Sequence, residues 1–551
     1  MTNAEVSEVL KQFADLLDIK GESGFRVAAY RRSADTIKRL EEPVATLVDE
    51  ERLTDLKGIG KGLAANITEI VRTGELEEMT IVQDEVPETL LTILAIPGIG
   101  PKSVGLFYRE LGITNLEQLE QAIESGQLIE LKGIGKKQES RITEGISFLR
   151  QRSGKMSIGT ALPAARRLSQ LLAAALETRA EIVGSVRRRA EVVGNVDLLL
   201  EGEDHDRIAS TIESAWDGVE AIEHGEQTVD VTVSRIGHVR VISSPAGSFG
   251  GTLVQSTGSQ DHVESLNIDG RKSFVDESSL YQSVECSWIP PELRENRGEI
   301  ELARQNSLPD LVELGLIRGD LHLHSVWSDG RATIPELAER AIELGYAYLS
   351  IADHSHGLAI ANGLNADRLE QQRREIETVR ESFPDLHILC ASEVEVRRDG
   401  SLDFPDDVLE QLDLVVASLH SGRNMPTGEM TSRILSAIEN PHVDIIAHPT
   451  GRIVEQRPGA SYDWDTVFEA AARTKTALEI NANPARLDLP EDLARQAVEA
   501  GVLIAIDSDA HDLQGLDVME YGVGIARRGW VETDSVVNTW TLDDLLDWLG
   551  R

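Results

Sequence analysis

The spacing of apolar residues changes twice along the chain and divides it into three stretches. Up to about residue 150, apolar residues recur with the period of amphipathic helices, which predicts a mostly helical region. After a long helical stretch at 162–177, runs such as TVDVTVSRI and HVRVISS indicate β-strands. From about residue 318, short apolar runs alternate with amphipathic helices, as in a parallel βα barrel.

One pattern occurs three times in the helical stretch. LKGIGKGLAANI, IPGIGPKSVGLF and LKGIGKKQESRI each place Gly-Ile-Gly before a helix, with a lysine close behind. The glycines permit a tight turn, and the first turn of the next helix offers unpaired N–H groups that suit a phosphate. The pattern resembles the helix-hairpin-helix motif, which grips DNA backbone without reading sequence. The residues expected to contact DNA are Gly58, Gly60, Lys61, Gly98, Gly100, Lys102, Gly133, Gly135 and Lys136.

The apolar runs of the last stretch end in histidines and carboxylates. In a βα barrel such residues meet at the carboxyl ends of the strands, where active sites lie. A lone histidine is weak evidence of a metal site, but six of the 13 histidines, with three carboxylates, share this position. Imidazole with carboxylate suits zinc, manganese or iron better than magnesium. The candidate ligands are His322, His324, Asp329, His354, Glu393, His420, His448, Asp509 and His511.

This ligand pattern resembles that of the PHP (polymerase and histidinol phosphatase) domain. The resemblance implies a distorted seven-stranded (βα)7 barrel and up to three ions, Mn²⁺ or Zn²⁺, held by all nine residues. Glu393 would bridge two of the ions. The implied reaction is phosphoester hydrolysis, in which metals activate water and neutralise charge on the phosphate. Arg452 is the predicted catalytic arginine, and Arg486 is a second candidate to hold the phosphate.

The middle stretch resembles the α+β nucleotidyltransferase palm of family X DNA polymerases. In that family, a Gly-Ser turn and a following arginine hold the nucleoside triphosphate. Gly184, Ser185 and Arg188 match this pattern and are the predicted nucleotide-binding residues. We therefore expect a multidomain protein, with an all-α helix-hairpin-helix region at 1–150, the palm with a short thumb-like segment at 155–300, and the PHP barrel at 317–551.

The expected metal site of the palm departs from the family pattern. Three aspartates should hold two Mg²⁺ ions, but only Asp197 matches, as the predicted catalytic carboxylate. Asn195 stands two residues before it, and Arg240 stands where the third aspartate is expected. Losing two hard oxygen ligands and gaining a cation should abolish binding of two Mg²⁺ ions. The Schiff-base lysine of some relatives is also replaced, by Asn66, so lyase chemistry is not expected.

Charge changes the expected mode of DNA binding. The net charge is −40, with acidic residues spread along the whole chain. Such a chain suggests a salt-rich cytoplasm, where a short Debye length screens self-repulsion. The acidity opposes simple electrostatic binding to nucleic acid, so DNA contacts should be local. Without a long apolar run or a signal-peptide pattern, we expect a cytoplasmic, monomeric protein that does not bind membranes.

Our leading hypothesis is a DNA-repair enzyme whose main activity is a 3′→5′ exonuclease or DNA end-processing reaction of the PHP domain, with an impaired palm. Its expected partners are gapped, nicked or 3′-ended DNA and, as an open question, a deoxynucleoside triphosphate. The alternatives are an active template-directed polymerase with PHP proofreading, a DNA-end-binding scaffold and a small-molecule phosphatase. The three hairpin repeats argue against the last, because a small substrate needs no grip on DNA.

Overall fold

The computed structural model divides the chain into two compact units, Met1–Ser153 and Gly154–Arg551, which are described in turn. Within the described part of the chain, no helix has the length and apolar composition needed to cross a membrane. The described residues are 1–550 except 23, 41, 75, 88, 95, 97, 98, 132, 153, 154, 203, 217, 235, 269–272, 359 and 360.

The first unit is all helical, as the apolar periodicity predicts. Its first helix begins at a capping box of Thr2 and Glu5 and ends at Gly21, which has a φ of 90°. Buried aliphatic and aromatic side chains of this helix form part of the core of the unit. The helices are α1 (Asn3–Lys20), α2 (Gly24–Lys38), α3 (Val44–Asp49), α4 (Lys61–Thr73), α5 (Glu77–Glu85), α6 (Leu90–Leu94), α7 (Pro101–Leu111), α8 (Leu116–Glu124) and α9 (Lys136–Arg152).

The described residues of the three Gly-Ile-Gly segments, which precede α4, α7 and α9, share one backbone hydrogen bond. In each, the isoleucine is at most 7% exposed and its N–H donates to the carbonyl oxygen three residues earlier, at 3.0–3.1 Å. Gly58 and Gly133 have φ values of 94° and 100°, which favour glycine. Lys61, Lys102 and Lys136 are exposed in the first turns of the helices that follow. Gly98 lies outside the described residues.

The second unit begins with the α+β region. Its five-stranded sheet has the order β2-β4-β7-β6-β5, in which only β4 and β7 pair in parallel. Strand β6 buries alternate valines, as period-2 patterning predicts. The elements are β1 (Met156–Ser157), α10 (Ile158–Leu176), β2 (Ala180–Val183), α11 (Gly184–Arg187), β3 (Val192–Val193), β4 (Asn195–Glu201), α12 (His205–Ala215), β5 (Val219–His224), β6 (Thr228–Val233), β7 (Gly237–Ser244), α13 (Phe249–Thr257), α14 (Gln260–Leu266), α15 (Glu277–Ser283) and α16 (Glu299–Arg304).

A parallel barrel of seven strands completes the second unit, in agreement with the expected (βα)7 fold. Its strands, nearly all buried, follow chain order around the barrel. They are β8 (Gly319–Leu323), β9 (Tyr348–Ile351), β10 (His387–Glu395), β11 (Leu414–Ser418), β12 (Ile445–Ile446), β13 (Ala477–Asn481) and β14 (Ile504–Asp507). The helices are α17 (Ile334–Glu343), α18 (Ala366–Ser382), α19 (Asp406–Leu409), α20 (Thr427–Ile438), α21 (Trp464–Thr474), α22 (Glu491–Glu499), α23 (Met519–Arg528) and α24 (Leu542–Leu549).

Backbone hydrogen bonds between the first and last strand segments bring the barrel close to closure. Asp509 N donates to His322 O at 2.9 Å, and His324 N donates to Ala510 O at 2.8 Å. These bonds join the segment after β14 to the end of β8 and the residue that follows it, so the predicted ligands at both ends of the barrel sequence become neighbours.

The α+β region and the barrel share one hydrophobic cluster. Helix α10 approaches the barrel so closely that a Cβ at Gly159 would lie 2.5 Å from Pro484 Cβ. Ion pairs also join the two regions, and one of them links Arg166 to Glu520 at 2.6 Å. The two regions therefore fold against each other as one packed body rather than as separate lobes.

A buried ion-pair cluster joins α11 to the segment around α15. Glu277 accepts hydrogen bonds from both Nη atoms of Arg187, at 2.8 and 2.9 Å, and from Arg294 Nη1 at 2.6 Å. Trp288 Nε1 adds a fourth bond at 3.1 Å. Burial alone would raise the pKa of Glu277, but the two arginines outweigh it and lower the pKa to about 2.

We predict that Glu277→Gln destabilises the protein by about 3 kcal/mol near neutral pH, because it leaves two arginines without their shared carboxylate. The pKa of Glu277 is lower in the folded state, so its contribution is complete above about pH 4.5 and is lost as the pH falls towards 2. Calorimetric Tm values of both proteins in molar KCl should converge below pH 4.5. A Tm difference that stays constant from pH 7 to pH 3.5 would contradict this assignment.

Candidate metal centre

All nine predicted ligands lie at the same end of the barrel. His322 lies in β8 and Glu393 in β10, while the others follow the carboxyl ends of β8, β9, β11, β12 and β14. Because parallel strands end at one rim, residues up to 189 positions apart in the chain meet there. The barrel thus brings together every ligand expected from the sequence.

The carboxylate of Glu393 lies at the centre of this group. Its Oε2 atom is 2.6 Å from His354 Nδ1, 3.5 Å from His322 Nε2 and 3.6 Å from His324 Nε2. Its Oε1 atom is 3.1 Å from His448 Nε2 and 3.4 Å from His420 Nε2. A carboxylate with imidazoles on both oxygens has the arrangement required to bridge two ions.

Two further carboxylates extend the centre to either side. Asp509 Oδ1 lies 3.1 Å from His324 Nε2. Asp329 Oδ1 lies 3.5 Å from His354 Nε2 and 3.4 Å from His511 Nε2. Three clusters of donor atoms result: His324, Asp329, His354 and His511; His322, His324 and Asp509; and His354, Glu393 and His420.

The buried polar atoms of the centre fit divalent metal ions. Glu393 Oε1 and Oε2, His322 Nε2, His324 Nδ1 and His448 Nε2 form no hydrogen bond within the described part of the chain. Burying such atoms without a partner is unfavourable by several kcal/mol, and metal coordination would satisfy them. Mixed imidazole and carboxylate donors suit Zn²⁺ or Mn²⁺.

Electrostatics keep Glu393 and His324 in the protonation states that metal binding needs. Burial would raise the pKa of Glu393, but His354, His420 and His322 outweigh it and hold that pKa well below its ordinary value. Burial, together with the neighbouring His354 and His511, lowers the pKa of His324 to about 3. The carboxylate therefore stays charged at neutral pH, and the His324 imidazole stays neutral with a free lone pair.

Supporting residues that the sequence reasoning missed lie behind the ligands. Glu479 Oε1 is 2.7 Å from His322 Nδ1, and Asn481 Nδ2 donates to Asp509 Oδ2 at 3.1 Å. Both belong to β13, which supplies none of the predicted ligands. Glu395 Oε2 is 2.9 Å from His420 Nδ1. Their signal was present in EVE and EIN, where polar residues two positions apart share one face of a strand.

The two candidate arginines occupy different positions. Arg486 Nε lies 3.3 Å from Asp509 Oδ2, at the edge of the centre. Arg452 instead donates through Nε to Arg486 O at 3.0 Å and pairs through Nη2 with Glu191 Oε2 at 2.5 Å. Glu191 belongs to the α+β region, so Arg452 ties that region to the barrel while Arg486 faces the ligands.

The predicted palm site brings Asp197 against its Gly-Ser turn. A Cβ on Gly184, whose φ is 65°, would lie 2.5 Å from Asp197 Oδ2. Asn195 Nδ2 donates to Asp197 Oδ1. Arg240 lies beside Asp197 in the parallel register of β4 and β7, and its Nε donates to Asp230 Oδ1 at 2.7 Å. Burial raises the pKa of Asp197 despite the bond from Asn195.

The remaining predicted residues of the palm and the lyase position already have protein partners. Arg188 donates through Nε to Glu295 at 2.8 Å and through Nη1 to Thr257 O at 2.7 Å. Ser185 O accepts from Ala190 N at 3.0 Å, within the turn. In the first unit, Asn66 Nδ2 donates to Tyr30 Oη at 2.7 Å and to Glu78 Oε2 at 3.1 Å.

Comparisons with known proteins agree with the fold and the centre. Residues 1–76 match the family described as a helix-hairpin-helix domain, and residues 90–147 match a SAM-like helix-hairpin-helix tandem. A probable phosphatase of Thermoanaerobacter sp. is 31% identical over 40% of this chain and 89% of its own length. A probable phosphatase of Syntrophotalea carbinolica is 26% identical over 42% of this chain and 95% of its own length.

The fold and the centre thus define a protein with a helix-hairpin-helix region, a nucleotidyltransferase-like α+β region and a PHP barrel. The DNA polymerase/3′-5′ exonuclease PolX of Bacillus subtilis is 36% identical to the chain, and the similarity covers 100% of both proteins. The chain belongs to the PolX family, the family X DNA polymerases that carry a PHP domain.

We predict that metal loading depends on His354, which belongs to two of the three donor clusters. Protein stripped with EDTA and reloaded with Mn²⁺ or Zn²⁺ should bind up to three ions per chain, and His354→Gln should bind at least one fewer. His387→Gln is the matched control, because His387 begins β10 at the other end of the barrel. Elemental analysis measures the content, and equal metal in His354→Gln and wild type would refute the clusters.

Glu479→Gln should weaken metal binding although Glu479 is not itself a predicted ligand. Its carboxylate fixes the ring of His322 and strengthens it as a ligand, and losing such support typically lowers metal affinity about 10- to 100-fold. Chelator competition measures the affinity. Glu469→Gln, on the exposed side of α21, should leave the affinity unchanged. If both variants bound metal as wild type does, the supporting role of Glu479 would be wrong.

Proposed function

We propose that the protein is a DNA-repair enzyme that hydrolyses phosphodiester bonds at DNA 3′ ends, acting as a monomer through the metal centre of its barrel. The observation that carries this proposal is the group of nine predicted ligands centred on Glu393, five of whose buried atoms have no hydrogen-bond partner within the described residues. The relative from Bacillus subtilis is named a DNA polymerase/3′-5′ exonuclease, and two shorter relatives are named probable phosphatases.

Different side chains of the centre would bind the metals, orient the ligands and hold the phosphate. The nine predicted ligands would hold two or three Mn²⁺ or Zn²⁺ ions, which supply an activated water nucleophile and Lewis-acid stabilisation of the phosphate. Glu479, Asn481 and Glu395 orient the ligands. Arg486 is placed beside Asp509 to hold a phosphate oxygen, a role for which planar guanidinium groups are suited. Arg452 takes the role of a bridge to Glu191 rather than that of the catalytic arginine.

The palm is the impaired part of the proposed enzyme. Asp197 is the remaining carboxylate of the expected three, and its Oδ1 atom already accepts a hydrogen bond from Asn195. Arg240 stands next to it in the sheet, where its charge opposes Mg²⁺. Arg188, expected to hold a triphosphate, is bound to Glu295 and Thr257. These contacts support a palm that does not bind Mg²⁺ and nucleotide productively.

The helix-hairpin-helix turns supply the grip on gapped, nicked or 3′-ended DNA. Their exposed lysines lie next to helix N-termini, where backbone N–H groups can donate hydrogen bonds to a phosphate. In a chain of net charge −40, such local contacts have to act against overall repulsion. Molar KCl would screen that repulsion, which makes it the appropriate assay condition.

The second candidate is an active polymerase whose errors the barrel removes. The name of the Bacillus subtilis relative, at 36% identity over the whole chain, favours it. One assay separates the two: a 5′-labelled primer on a longer template, with Mn²⁺ in molar KCl, with and without deoxynucleoside triphosphates. Wild type is compared with Glu393→Gln, Asp197→Asn and the control His387→Gln.

We expect wild type and Asp197→Asn to shorten the primer equally and not to extend it. Glu393→Gln should lose at least 100-fold of the shortening rate, because a neutral amide cannot bridge two cations. His387→Gln should behave as wild type. Extension that disappears only in Asp197→Asn would overturn the impaired palm, and shortening that persists in Glu393→Gln would overturn the role of the barrel.

A further inference from the structure

Three arginines lie together on the loops beside the metal centre. They are Arg423 after β11, Arg457 after β12 and Arg486 after β13, and each is half-buried. Arg486 contacts the ligand Asp509. Within the described part of the chain, the Arg423 side chain has no hydrogen bond or ion pair, and the side-chain hydrogen bonds of Arg457 go to Gly451 O alone. Unpaired arginines are notable in a chain with 94 acidic and 54 basic residues.

Gly451 lies next to the side chains of two of these arginines. It follows the ligand His448 by three residues and has a φ of 61°. Arg457 Nε and Nη2 donate to Gly451 O at 3.1 and 2.7 Å. A Cβ at Gly451 would lie 2.8 Å from Arg423 Cδ and 3.4 Å from its Nη1. Both arginine side chains thus lie next to one short loop, which begins directly after the predicted ligand His448.

Within the described residues, neither Arg423 nor Arg457 forms an ion pair with a carboxylate. Asp488 is buried and accepts from Gly451 N at 2.8 Å and Thr450 N at 3.2 Å. Glu395 accepts from His420 and Ser421. Burial, and then the charges of Arg423 and Arg486, lower the pKa of Arg457 to about 10. Burial, and then Arg486, lowers the pKa of Arg423 as well. Clustered guanidinium groups that repel one another are stabilised by a shared anion.

We propose that Arg423 and Arg457 bind a second phosphate of the substrate, distinct from the phosphate that Arg486 would hold and that is hydrolysed at the metal centre. The inference rests on the proposed phosphodiesterase function and names its substrate class. A substrate of that class carries at least two phosphates along one strand. A phosphate monoester, or a diester with a single phosphate, cannot occupy both positions at once.

The test compares two short DNA substrates in Mn²⁺, a trinucleotide with two phosphodiesters and a dinucleotide with one. Wild type should show a roughly tenfold higher kcat/KM on the trinucleotide, as expected for one additional charge-assisted contact. Arg423→Gln and Arg457→Gln should each abolish that preference, mainly by raising the KM for the trinucleotide. Arg473→Gln, which breaks an exposed pair with Glu439 on the outside of the barrel, should keep the preference.

A binding measurement that needs neither metal nor turnover accompanies the kinetics. Anisotropy of a labelled single-stranded oligonucleotide in EDTA gives the slope of log affinity against log salt concentration. Losing one phosphate contact should reduce that slope by about 0.7 in Arg423→Gln and in Arg457→Gln, but not in Arg473→Gln.

The outcomes separate the inference from the proposed function. An unchanged salt slope, or an equal loss of kcat/KM on both substrates, would overturn the second phosphate site. If wild type cleaved neither substrate, the proposed hydrolytic function would fail, and the salt slope would still decide whether the arginines bind phosphate. A retained trinucleotide preference in both arginine variants would likewise overturn the site.

Discussion

The burial of the Glu393 carboxylate is the constraint on which the barrel depends. Its two oxygens face imidazoles that come from the ends of four strands, and they form no hydrogen bond of their own within the described residues. A charge in such a place is tolerable only if cations compensate it. The strands must therefore approach closure so that their ends converge, and metal binding should stabilise the same arrangement.

The α+β region is bound into this body by packing rather than by its own chemistry. It shares a hydrophobic cluster with the barrel, and Arg452, four residues after His448, reaches across to Glu191. Removing the region would expose apolar barrel surface and free a loop beside the centre. The packing therefore gives the α+β region a structural role in the second unit, whatever chemistry it carries out.

Much of the fold and of the centre could be predicted from the sequence. Apolar periodicity distinguished the helical, α+β and βα regions, because each secondary structure exposes one face at a fixed period. The Gly-Ile-Gly repeats and the histidines at strand ends are local patterns, so the hairpin turns and the nine candidate ligands could be named without coordinates. The role of Glu479 and Asn481 could not be predicted, because it depends on contacts with distant strands.

By itself, the sequence determined which kinds of element form and which residue types could hold metal, since both follow from neighbours in the chain. Only the tertiary structure decided which partners these side chains have. Glu479 supports His322 across 157 positions, and Arg452 meets Glu191 across 261. The tertiary structure likewise decided that Arg486 faces the centre and that the side chains of Arg423 and Arg457 both lie next to Gly451. Such pairings depend on how the strands assemble and on the conformations of the loops between them, which no local pattern specifies.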